Sequence, residues 1–267
     1  MISNLRFELS FKNISQLENK LHFCENNKIK NINIPCKGLI KKDFFNSTIQ
    51  YISKNHKELN LTYHYSLYHQ YSQNSEKSYQ DFLDFLINSR SNRNYEVLLV
   101  SGSNKKKNFD VISVLRKIKE EKNLNVKFGI AYNPYLKKYF RDTSERERFN
   151  LKLSSGLINS IWFQYGTDIK ELQNEMNYLK RVVKNKRINL FGSLLIPSKQ
   201  FIARFKFRPW KGVYISKKYL YSLGGFYDFT KDLVVFYKNN NITPLIETDF
   251  SSTEKLSSVY KLFKNDR

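Results

Sequence analysis

The residues able to do chemistry come singly, most of them beside or just after an apolar run. Glu8 stands between Phe7 and Leu9, and His64 lies between Tyr63 and Tyr65 with Ser66 two residues on. Ser101 and Ser103 follow Val97 to Val100, Asn133 follows Ala131-Tyr132, and Gln164 follows Ile161-Trp162-Phe163. Ser198 and the pair Glu247 and Asp249 complete the series. A carboxylate in an apolar strand interior has its pKa raised, which suits general-acid work. The competing reading, which alternation alone favours, is an edge glutamate facing solvent. A lone strand histidine is more often a satisfied structural partner than a catalyst. His64 and His69 lack the spacing of ligands on a common helix and have no obvious third ligand, so no metal site is expected. No Gly-x-Ser-x-Gly elbow surrounds Ser66, Ser101 or Ser103, which weighs against a serine hydrolase. Cys24 and Cys36 are too few and wrongly spaced for a CxxC site and read as buried spectator thiols.

A strand that delivers one polar residue at its carboxyl end and then gives way to a helix is the repeating unit of an α/β barrel. Strands are expected at 5–11, 29–35, 59–66, 95–101, 126–131, 161–163, 188–196 and 243–247. Helices are expected at 15–27, 42–56, 79–90, 109–122, 143–155, from Thr167 or Asp168 through Leu179, and at 226–238 and 253–263. The first strand alternates Leu5, Phe7, Leu9 and Phe11 against Arg6, Glu8 and Ser10. Ser144 and Glu147 read as a capping box. Eight strand–helix alternations without a Gly-, Pro- or Ser-rich linker predict a single α/β domain, a (β/α)8 TIM barrel over 1–267. An extra irregular or helical segment is expected at about 205–225. No GxGxxG or GxxxxGK[ST] supports a nucleotide-binding open sheet.

The charge is strongly positive, +22 from 46 Lys and Arg against 24 Asp and Glu. Such a surface attracts polyanions. The chain is also rich in Lys, Asn, Ile, Phe and Tyr with only two alanines, which points to AT-rich codon usage as a source of lysine. The lysines read as scattered, and no RNP-like or helix-turn-helix signature accompanies them, so nucleic-acid binding is kept only as a minority reading. No apolar run approaches the roughly 18 residues of a membrane span, and no signal-peptide stretch precedes the first charges. A soluble cytoplasmic protein with no membrane partner is expected; a homo-oligomer stays open.

The strand-end residues, taken in order, resemble the methylenetetrahydrofolate reductase family, and the resemblance runs over nearly the whole chain, roughly 5–250. Phe7-Glu8-Leu9 resembles the family's first-strand F-E-F, and Tyr63-His64-Tyr65-Ser66 resembles its P-H-L-T. Lys152 followed by Gly156 matches K-x-x-A-G, and Glu145 matches an acidic position earlier in that helix. Phe163-Gln164-Tyr165 with Asp168 matches T-Q-F-F-F-D, and the segment from Gly192 to Ser198 resembles P-G-I-L-P-x-S.

The resemblance implies a flavin-dependent reduction of 5,10-methylenetetrahydrofolate to 5-methyltetrahydrofolate, in one-carbon and methionine metabolism. It implies Glu8 as general acid, Gln164 as the amide that binds the pterin, and FAD held by His64, Ser66, Ser101, Gly102, Ser103, Asn133, Glu145 and Lys152. NAD(P)H or a redox partner protein would supply electrons. The chain departs from the family pattern where Ser101-Gly102-Ser103 replaces R-G-D and Tyr132-Asn133-Pro134 replaces A-Y-P. Those departures favour an alternative, a catalytically degenerate folate-binding or regulatory barrel that serves as a non-catalytic partner of a true reductase.

Overall fold

The structure, a computed structural model, describes residues 4–36, 42–90, 94–101, 109–121, 124, 126–136, 145–184 and 186–264. In chain order the elements are β1 (Arg6–Glu8), α1 (Ile14–Asn26), β2 (Asn31–Ile34), α2 (Lys42–Asn55), β3 (Asn60–Ser66), α3 (Ser75–Ser89), β4 (Tyr95–Val100), α4 (Val111–Glu120) and β5 (Lys127–Tyr132). They continue with α5 (Glu145–Leu153), β6 (Ile158–Phe163), α6 (Ile169–Val182), β7 (Asn189–Leu194), α7 (Lys199–Phe207), α8 (Lys217–Leu220), α9 (Leu223–Asn239), β8 (Ile242–Ile246) and α10 (Thr253–Lys264). The strands close in the order β1-β2-β3-β4-β5-β6-β7-β8, a (β/α)8 barrel as the alternation predicts. Closure runs through β1 and β8, with Phe7 beside Ile246.

Short polar residues start the helices. Asn13, Asn74, Asp110, Asp168, Ser198 and Ser222 each accept a backbone N–H from the first turn of α1, α3, α4, α6, α7 and α9. The expected capping serine, Ser144, lies outside the described residues.

The chain divides into two compact units. In the unit Glu8–Ile130 with Arg148–Asn159, β3 packs aromatic rings against helices. Tyr63 lies 6.5 Å from Phe45 of α2 and 6.1 Å from Phe85 of α3, and Tyr65 lies 4.6 Å from Phe82. Because side chains alternate along a strand, Thr62, His64 and Ser66 occupy the opposite, inner face.

In the unit Met1–Phe7, Ala131–Glu147 and Ser160–Arg267, Trp162 of β6 stacks on Phe191 of β7 at 4.0 Å, and Arg6 lies 5.8 Å and 5.7 Å from the two rings. Gly192 is required where β7 meets α9: a Cβ there would lie 2.4 Å from the Tyr237 ring, whose hydroxyl donates to the Ser193 carbonyl at 2.9 Å.

The first strand departs from expectation. It is three residues long, and Glu8, which alternation alone turns toward solvent, is 7% exposed, with Arg6 similarly buried at 8%. In a closed barrel both strand faces are covered, one by helices and one by other strands, so polar alternation marks the inner face rather than water. Segment 205–225 contains the end of α7 and all of α8. Cys24 and Cys36 are free and buried, and burial pushes the Cys24 thiol up to about 12. No described helix is long and apolar enough to cross a membrane.

An ion pair between a half-exposed arginine and a buried carboxylate joins α5 to α6. Glu175, 2% exposed, accepts from Arg146 Nη2 at 2.9 Å and Nε at 3.1 Å, and it also accepts from the Tyr132 hydroxyl. Glu175→Leu removes the buried carboxylate that Arg146 and the Tyr132 hydroxyl share. A loss of about 3 kcal/mol is expected, seen as a fall of roughly 6–12 °C in the melting temperature by calorimetry.

Candidate functional site

At the carboxyl end of β1, Glu8 meets β2 and β3. Its Oε2 lies 3.7 Å from His64 Nδ1, and His64 Nε2 lies 2.8 Å from Asn33 Nδ2. With the Asn33 amide donating, Nε2 is the acceptor and the imidazole proton sits on Nδ1, facing the carboxylate. Asn33 is fully buried, and its carbonyl accepts Leu9 N–H at 3.0 Å, so the amide that fixes the tautomer is anchored in the sheet. The apolar surroundings that Phe7 and Leu9 suggested for Glu8 are therefore polar on its own side. An acid beside a tautomer-fixed imidazole can hand on a proton and regain it.

Ser66, at the end of β3, is 1% exposed, and its hydroxyl accepts His69 N–H at 3.4 Å. Ser101, just after β4, is exposed, while Gly102 and Ser103 lie outside the described residues. Lys152 is 8% exposed on α5.

Other candidates are engaged elsewhere. Asn133 donates from Nδ2 to the Gly212 carbonyl at 3.0 Å, accepts Tyr135 N–H on Oδ1 at 3.0 Å, and gives its own N–H to Glu145 Oε1 at 3.1 Å. Asn133 and Glu145 thus brace the connection from β5 to α5. Their side-chain hydrogen bonds go to the protein itself, which does not suit a flavin contact at these two positions. Ser198 accepts Phe201 N–H as the cap of α7. Glu247 accepts from Ser193 Oγ at 2.5 Å, and Asp249 accepts from Lys255 Nζ at 2.6 Å.

Gln164 differs from these. Its backbone N–H donates to the Tyr132 carbonyl at 2.9 Å, extending the sheet past β6. Its side chain is half-buried, and the amide makes no hydrogen bond to any described residue. Strand periodicity puts Gln164 on the same face as Trp162, two residues earlier.

Sequence reasoning missed Asn33, although the alternation in Asn31-Ile32-Asn33-Ile34 carried the same signal as that around Glu8. It also treated the basic residues as scattered. Stretch 199–221 departs from that pattern, with seven basic residues and no acidic one, and with Phe207 and Tyr221 92% and 79% exposed.

No protein-family model and no curated protein matches the chain. Among solved structures it is similar to a protein from Clostridium thermocellum that binds two copies of 5-methyl-5,6,7,8-tetrahydrofolic acid. The TM-score is 0.66 at 14% identity, over 98% of this chain and 93% of that one. It is also similar to active domain 2 of a thermostable chitinase from Pyrococcus furiosus, solved with chito-oligosaccharides, with TM-score 0.50 at 11% identity over 91% and 83% of the two chains. At such identities the likeness shows the barrel fold alone.

Proposed function

We propose that this chain binds a one-carbon-substituted tetrahydrofolate and that Glu8 serves it as an acid. The observation that carries the reading is the side-chain amide of Gln164, half-buried at the end of β6 and without a hydrogen bond to the described residues. A primary amide offers a donor and an acceptor side by side, which matches the paired N–H and C=O groups on a pterin edge. The resemblance assigns Gln164 to the pterin, and the folate bound by the similar Clostridium thermocellum protein supports the same ligand class. In 5,10-methylenetetrahydrofolate, protonation of a ring nitrogen by Glu8 would let its bond to the methylene carbon break. His64 Nδ1–H then faces the carboxylate that remains.

Flavin-dependent reduction to 5-methyltetrahydrofolate is the finer form of this reading, and a non-catalytic folate binder is its rival. The engagement of Asn133 and Glu145 favours the rival. An absorbance band of bound flavin in freshly purified protein would decide for the reductase; a colourless protein that binds folate would decide for the binder.

Gln164→Ala is expected to weaken 5-methyltetrahydrofolate binding about 10- to 100-fold by titration calorimetry. Its melting temperature should stay unchanged, because the amide holds no described residue. Unchanged affinity would remove Gln164 from the site.

A further inference from the structure

On the side of the fold where helices end and strands begin, donors of three side chains converge. Carboxylate oxygens of Glu25 and Glu58 and a ring nitrogen of His56 all lie within 4.8 Å of one another. His56 Nδ1 is 2.7 Å from Glu25 Oε1, and His22 Nδ1 lies 3.3 Å from the other oxygen, Oε2. His56 is 5% exposed and rigidly placed: its N–H donates to the Ile52 carbonyl at 2.8 Å as the chain leaves α2, and its ring lies 5.9 Å from Tyr51. Glu25 and Glu58 reach it from solvent.

The electrostatics single out this spot. The chain carries +22, yet two carboxylates and an imidazole gather here. Glu25 stands in the last turn of α1, which has no basic residue there, so its charge adds to the negative end of the helix dipole. The carboxyl end of α2, with Lys54 in its last turn, points to the same cluster. A cation offsets a carboxylate in that position, and the donor set selects its kind. One imidazole nitrogen with carboxylate oxygens suits zinc and its first-row neighbours better than calcium or magnesium, which prefer oxygen alone. Tetrahedral coordination at about 2.1 Å sets neighbouring donors about 3.4 Å apart, a short rotamer adjustment for exposed glutamates.

We propose that Glu25, His56 and Glu58 form a binding site for a divalent transition-metal ion of the zinc type, with His22 within reach as a fourth ligand. Uptake replaces the hydrogen bond between His56 Nδ1 and Glu25 Oε1: the neutral imidazole coordinates through Nδ1 and carries its one proton on Nε2. The ion fastens the end of α1 to the turn between α2 and β3, on the side of the barrel away from the strand ends that carry Glu8. Its role is to stabilise the fold.

Calorimetric titration of the full, metal-free chain with zinc chloride tests the site. One ion per chain is expected, with a rise in melting temperature. Glu25→Gln and Glu58→Gln, both at exposed positions that keep the fold, should each weaken binding at least tenfold, whereas His69→Asn should not change it. No saturable binding, binding unchanged in both glutamine variants, or binding lost in His69→Asn would each overturn the proposal.

Discussion

Raising the pH above about 10 is expected to unfold this protein in one cooperative step. Tyr65, Tyr132, Tyr135, Tyr165 and Tyr237 are each at most 2% exposed, and burial, the largest cause in every case, pushes their phenols above the ordinary value near 10. For Tyr132 the hydrogen bond to Glu175 adds to this. The sign follows from proton counting. Below pH 10 both states keep these phenols protonated and the stabilisation is complete. Above it the unfolded chain releases protons that the folded chain must retain, so stability falls as pH rises toward the folded-state pKa. Each phenol removes about 1.4 kcal/mol per pH unit in that window, and five together about 7 kcal/mol. Total stabilities are about 5–15 kcal/mol. Circular dichroism should therefore be flat from pH 6 to 9.5 and collapse before pH 12, with tyrosinate absorbance near 295 nm rising in the same step. Full tyrosinate absorbance with intact circular dichroism would contradict the burial of these rings.

In the reductase form of the proposal, Glu8→Gln is expected to lower turnover of 5,10-methylenetetrahydrofolate by about 100- to 10,000-fold, the usual worth of a positioned acid. Binding of 5-methyltetrahydrofolate should change less than about threefold, since the amide keeps the shape of the carboxyl and only the transferable proton is lost. The split between kcat and affinity is the informative readout. An equal loss of both would make Glu8 a binding residue, and unchanged turnover would end its role as the acid.

The barrel was legible because helical and strand periodicity alternate eight times. Even the three-residue β1 follows from Leu5, Phe7 and Leu9. What alternation could not do was distinguish the inside of a closed barrel from water. Both are written as a polar face, so alternation alone turns Glu8 outward and passes over Asn33, although the two belong to one network through His64. Gln164 could be singled out from position alone, as the polar residue that ends an apolar strand. Asn133 and Glu145 also occupy suitable positions, but a sequence does not reveal that Gly212 and Tyr135 will claim the asparagine's hydrogen bonds. The Arg146–Glu175 pair was hidden for a related reason. Its partners lie on different helices, and only their packing makes a charged residue at 175 a buried one.

The most direct measurement is a calorimetric titration of the purified wild-type chain with 5-methyltetrahydrofolate, beside Gln164→Ala. Saturable binding in roughly the micromolar range, weakened in the variant, is the expected result. No saturable heat up to millimolar ligand, with the protein folded throughout, would contradict folate recognition by this barrel.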